Sequence, residues 1–92
     1  MKKYIIEHLA NKSSMITCHI VIDGRVEPIP MTLPAIPTTG SVVARLADHK
    51  SEHYLVKCVE YINGHESVNL HVQPFPNQIS AVNAVDGFRN NR

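Results

Sequence analysis

The stretch that decides the fold is Pro34-Ala-Ile-Pro37-Thr-Thr-Gly40-Ser-Val42, followed by His53-Tyr-Leu-Val-Lys-Cys-Val-Glu-Tyr61, Asn63-Gly64 and Val68-Asn-Leu70-His-Val72. A Pro/Gly connection, a strand, a long strand, a hairpin turn and a further strand read directly from it. Working outward, Ile16, Cys18, Ile20 and Ile22 alternate along residues 15–22, and Asp23-Gly24 offers the positive φ angles of a two-residue hairpin loop. Between that turn and Gly40 lie prolines 28, 30, 34 and 37. Proline cannot donate to a sheet ladder, so this segment is expected as an edge strand or extended strap. Its apolar residues Ile29, Met31, Leu33 and Ile36 are expected to pack against either the barrel or a second subunit, and the second is preferred because a small domain has little interior to hide them in.

The expected strands are 15–22, 25–33, 41–47, 53–62 and 67–74. The fold class they imply is mainly β, a five-stranded, partly open small barrel; the alternative is an α+β sheet with one terminal helix. Residues 15–76 form the barrel domain, 1–14 an N-terminal accessory arm, with Met15 as a candidate alternative start, and 77–92 a tail with one short helical turn. In that tail Ile79, Val82 and Val85 recur at helical spacing.

The register across Asn63-Gly64 follows from side-chain chemistry. An even loop aligns Val68, Leu70 and Val72 with Leu55, Lys57, Val59 and Tyr61, which places a lysine mid-core at a cost of about 3 kcal/mol or more. An odd loop aligns them with Tyr54, Val56 and Cys58 and is preferred. Because Val59 is also apolar, a β-bulge near Lys57 or Cys58 would turn both Val56 and Val59 inward.

Composition excludes several classes. A chain of 92 residues with 43% hydrophobic and 18% charged residues is an ordinary folded domain. Its formal charge of +1 creates no field for nucleic acid or anionic membrane. Lys2-Lys3 before Tyr4-Ile5-Ile6 looks like the start of a signal peptide, but Glu7 and His8 interrupt the apolar run. With two cysteines, Cys18 and Cys58, outside any C-x-x-C pair, free buried thiols and a cytoplasmic location are expected.

Candidate chemistry is sparse. His49, Glu52 and His53 have metal-ligating side chains, but the spacing falls in a hairpin loop without the H-E-x-x-H pattern, so no metal or other cofactor is expected. Cys18 and His19 are neighbours on a strand and point to opposite faces. A thiol nucleophile would therefore need a histidine from another strand, and His19, His71 and Cys58 are the candidates for a ligand cleft. Tyr54, Tyr61, Phe75 and Phe88 lack the basic groove of a single-strand-binding platform. Pro34-x-x-Pro37 is read as a rigid connection rather than as a recognition motif.

The pattern Ile36-Pro37-x-x-Gly40-x-Val42, with the Tyr54–Tyr61 and Val68–Val72 strands, resembles small SH3-like barrel proteins of bacteria, phages and mobile gene cassettes. The resemblance implies architecture and no catalytic residue. The functional expectation is a non-enzymatic interaction module that forms a homodimer and meets a further, unspecified protein partner. Its interaction surface is expected at Ile29, Met31, Leu33 and Ile36. A His/Cys ligand-binding or hydrolytic protein is the alternative, and a nucleic-acid-binding barrel the third.

Overall fold

The computed structural model describes residues 15–90, with side chains described through residue 85; the expected accessory arm at 1–14 lies outside the described residues. Five strands, β1 (Ile16–Ile22), β2 (Ile29–Leu33), β3 (Val42–Ala44), β4 (His53–Tyr61) and β5 (Val68–Phe75), precede one helix, α1 (Gln78–Asn90). The strands form one mixed sheet in the order β2-β1-β5-β4-β3, curled into an open half-barrel. The fold class is thus mainly β, as expected. Neighbours pair antiparallel except β1 and β5, which run parallel and bring the two hairpins together at the sheet centre.

The core lies on the concave face. Cys18, Ile20 and Ile22 of β1 meet Val68, Leu70 and Val72 of β5, Tyr54 and Val56 of β4, and Val43 of β3. Each set follows the two-residue period of a strand with one face buried. In β4 that period is broken once. The ladder pairs Tyr61 with Val68 and Val59 with Leu70, shifts between Val56 and Cys58, and resumes with Val56 opposite Val72 and Tyr54 opposite Pro74. The odd register expected throughout therefore holds only on the far side of the shift, and the even one holds beside the hairpin. The expected bulge reconciles them: Lys57 is the extra residue and stands exposed, while Val56 is buried and Val59 packs against the core.

The Asp23-Gly24 turn also differs from the expected two-residue loop. Gly24 and Gly64 have φ of 86° and 85°, while among the described residues no non-glycine has positive φ, so the mirror-image turn with two positive angles does not form at either. Each is a single tight turn, closed by Arg25 N–H to Ile22 O and by His65 N–H to Ile62 O, both at 3.0 Å. The strands then separate before pairing. β2 starts at Ile29, not 25, because after the turn the chain bends at residues 26–27 before it meets the ladder.

From β2 the chain crosses to the opposite edge of the sheet along residues 34–41, which is the rigid connection expected of Pro34-x-x-Pro37. It is secured by Gly40 N–H to Val56 O at 2.8 Å and Val56 N–H to Ser41 O at 2.9 Å. β3 is shorter than the expected 41–47, because after Arg45 the chain bends into the loop leading to Glu52.

The four residues expected to face a partner, Ile29, Met31, Leu33 and Ile36, are partly buried and packed against the protein's own core. Ile29, Met31 and Leu33 lie opposite Ile20, Cys18 and Ile16 of β1 and so share the core face of the sheet.

The tail is a 13-residue helix instead of one short turn. Asn77 caps it, its Oδ1 accepting from Ser80 N–H at 2.9 Å. Gln78 N–H donates to His49 O at 2.8 Å and fastens the helix start to the β3–β4 loop. The face expected from Ile79, Val82 and Val85 is not the packed one. Ala81 is buried and Ala84 and Val85 half-buried, whereas Ile79 and Val82 are exposed. Small residues let the helix lie close to the sheet.

Replacing Met31 or Leu33 by alanine is expected to lower folding stability by about 1–2 kcal/mol each, less than a fully buried truncation costs. Denaturant unfolding measures it; wild-type midpoints would place these side chains outside the core.

Candidate functional site

Two clusters of polar side chains stand out, one on the convex face and one at an end of the half-barrel. The convex cluster is created by the bulge. With Lys57 inserted, Cys58 becomes the cross-strand partner of His71, and Glu60 that of Asn69. Glu60 lies diagonal to His71, and its Oε1 accepts from His71 Nε2–H at 2.7 Å and from Asn69 Nδ2–H at 3.2 Å. These bonds, the histidine's first, hold the Glu60 carboxyl below its ordinary pKa. His71 and Glu60 are both nearly half exposed, so the pair is a weak, salt-screened one.

Of the three expected cleft residues, the structure brings Cys58 and His71 together. His19 lies one strand further, opposite Asn69. All three lie on the convex face, opposite the core. Cys58 was expected to be a buried thiol and is exposed. The physical reason is the bulge, which reverses the side-chain phase between Val56 and Cys58. Cys18 is buried as expected, and burial pushes its thiol pKa up. His71 gives its Nε2–H to Glu60, which in the neutral ring leaves Nδ1 as a proton acceptor on the face it shares with Cys58. The ring's described hydrogen bond goes to Glu60, not to the sulfur.

The second cluster was not anticipated. Arg25, in the β1–β2 loop, grips Glu52, at the end of the β3–β4 loop, with two bonds: Nη2 to Oε2 at 2.7 Å and Nη1 to Oε1 at 3.2 Å. The hydroxyl of Tyr54, whose ring is fully buried, donates to the same Oε1 at 2.6 Å, and Arg45 Nη1 lies 3.9 Å from it. Two loops at one end of the open sheet are thereby clasped through a carboxylate anchored from the core. The Arg25 bond first, then the Tyr54 bond, hold the Glu52 carboxyl below its ordinary pKa. Burial and the bond to Glu52 push the Tyr54 phenol up. No local sequence signal joins Arg25 to Glu52, since they meet only once the sheet curls.

The remaining histidine candidates separate. His53 is buried at the start of β4, its Nδ1–H donating to Ser51 O at 2.8 Å, and His49 is exposed beside Asp48. Among the described residues no three histidine, cysteine, aspartate or glutamate side chains come together in a way that could hold a metal. Tyr61 is exposed at the β4–β5 hairpin, far along the strand from buried Tyr54, so these two rings form no common platform. Among the described residues no helix is long and apolar enough to cross a membrane.

Between α1 and the sheet runs an apolar groove of about 380 Å³, lined by Gly40, Leu55, Val56, Gln73, Ala84 and Val85 among others. Comparison with family models, with curated proteins and with solved structures finds no match to this chain.

Two outcomes are expected. In the folded state one thiol per chain, Cys58, reacts rapidly with a disulfide reagent such as DTNB, and Cys18 reacts only on unfolding; a Cys58→Ser variant that still labels fast would refute this assignment. Because the Glu52 carboxyl is lowered in the fold, its stabilisation is present above the unfolded-state pKa and is lost as pH falls through the folded value. Glu52→Gln is therefore expected to flatten the acid limb of a stability–pH profile. An unchanged limb would count against the clasp.

Proposed function

We propose that this chain is a non-enzymatic protein-interaction module, of the SH3-like small-barrel kind, that associates with a second copy of itself. The observation that carries the reading is the open sheet. Among the described residues neither β2 nor β3 has a strand on its far side, and exposed backbone edges are pairing surfaces. Exposed apolar side chains support it: Val26 and Leu46 flank the arginines of the end clasp, and Ile79 and Val82 lie on α1. Ile29, Met31, Leu33 and Ile36 contribute only the halves that their own core leaves uncovered. A cytoplasmic setting fits two free thiols, one of them exposed.

A second reading, ligand binding or hydrolysis through a thiol, is favoured by one observation, the Cys58–His71–Glu60 arrangement. If it holds, an activated thioester acylates Cys58 in a burst that Cys58→Ser abolishes and His71→Ala slows. A burst of equal size in both variants would remove it. Nucleic-acid binding has less support, since the formal charge of +1 supplies no basic groove.

Sedimentation velocity at micromolar concentration tests the main reading. The expected result is a closed species of twice the mass of the 92-residue chain. A strict monomer would overturn it.

A further inference from the structure

The groove between α1 and the sheet divides into apolar walls and a polar rim. Leu55 of β4 and Ala84 and Val85 of α1 line it and are only half-buried, so carbon surface inside it is left uncovered. Where Gly40 forms the wall there is open space, since a Cβ at that position would meet nothing within 4 Å. Its φ of 95° favours glycine, so the opening is kept by the backbone itself. The main chain beneath has its donors spent inside the protein: Gly40 N–H on Val56 O at 2.8 Å and Val56 N–H on Ser41 O at 2.9 Å. A ligand laid on this stretch meets hydrocarbon rather than free N–H groups.

The polar side chains of the lining are Thr39, Lys57 and Gln73, and among the described residues of the lining Lys57 carries the only charge. It stands there because of the bulge. As the extra residue of β4 it takes no part in the core and is exposed, directly after Leu55 and Val56. An exposed lysine that also lines an apolar surface lays its methylenes along that surface and holds its ammonium at the water edge. Gln73 lies across the ladder from Leu55 and so shares its face of the sheet. Hydroxyl, ammonium and amide are all hydrogen-bond donors.

We propose that this groove binds a small amphipathic carboxylate of the medium-chain fatty-acid kind, its hydrocarbon against Leu55, Ala84 and Val85 and its carboxylate at Lys57. Charge complementarity selects this occupant. An apolar bed with one cation at its rim and no acidic side chain in its described lining matches a ligand with a single negative end. A neutral hydrocarbon would leave the ammonium unused, and a polyanion would find no second cation. The volume of about 380 Å³ lies at the small end of the roughly 300–1,000 Å³ of small-molecule sites, which suits a ligand on the order of ten non-hydrogen atoms. The inference goes beyond the self-association proposed above and does not depend on it.

The experiment titrates the full isotope-labelled chain with octanoate and, separately, with octanol, following the amide resonances. Saturable binding of octanoate is expected, with Kd on the order of a millimolar or below and the largest shifts at Gly40, Leu55, Lys57, Gln73, Ala84 and Val85. Octanol is expected to bind about fivefold more weakly, and Lys57→Gln to weaken octanoate by a similar factor while leaving octanol unchanged. Lys57→Arg is expected to keep the preference for the acid. Hexanoate, shorter by two methylenes, is expected to bind roughly tenfold more weakly than octanoate. The comparison of acid with alcohol needs no variant, so it stands even if a substitution disturbs the bulge. Equal binding of acid and alcohol, or a preference that survives Lys57→Gln, would overturn the proposal. Shifts centred away from the groove, or no saturation at tens of millimolar, would do the same. Contacts from residues 1–14 to Leu55 or Val85 in the ligand-free protein would show that the chain's own segment fills the groove, and would also overturn it.

Discussion

One extra residue in β4, Lys57, governs most of what this small domain presents. Without it the strand could not bury Tyr54 and Val56 on one side of the insertion and turn Val59 inward on the other. A strict two-residue period would force a choice between a lysine in the core and an exposed Val59. The bulge avoids both by leaving Lys57 in solvent. The same half-step turns Cys58 out beside His71 and Glu60, so the polar cluster of the convex face is a by-product of how the core solves its register.

The second constraint is the failure of the sheet to close. Five short strands in the order β2-β1-β5-β4-β3 leave two edges, and the chain bridges them in two ways. Residues 34–41 carry the backbone across from one edge to the other, while Ile29, Met31, Leu33 and Ile36 pack against the core. At one end Arg25 and Glu52 join the β1–β2 loop to the β3–β4 loop, with Tyr54 holding the carboxylate from within the core. The backbone at the edges remains, and the prolines treat the two edges differently. Pro30 removes one outward donor from β2 while Thr32 keeps another, and β3 contains no proline.

Much of the fold was legible locally. The alternation Ile16-Cys18-Ile20-Ile22, the Asx-Gly turns, the proline strap and the bulge near Lys57 each follow from side-chain period or proline chemistry within a few residues. What was misjudged depended on distant neighbours. Cys58 looked buried because its apolar flanks were read without the phase reversal next to it. The helix was underestimated because its packed face is built from alanines, which carry little hydrophobic signal, and the Asn77 cap after Pro76 was the overlooked local sign.

The sequence by itself determined which segments are extended, where they turn, that Lys57 could not enter the core, and that β2 could not be a central strand. These are covalent or nearest-neighbour facts: a missing N–H, a tolerated positive φ, a charge too costly to bury. Only the tertiary structure decided that β1 pairs parallel with β5, that the strap faces inward, and that Arg25 meets Glu52. Those depend on how a twisted sheet curls and which distant segments it brings within hydrogen-bonding reach, a property of the whole chain that no short stretch of residues encodes.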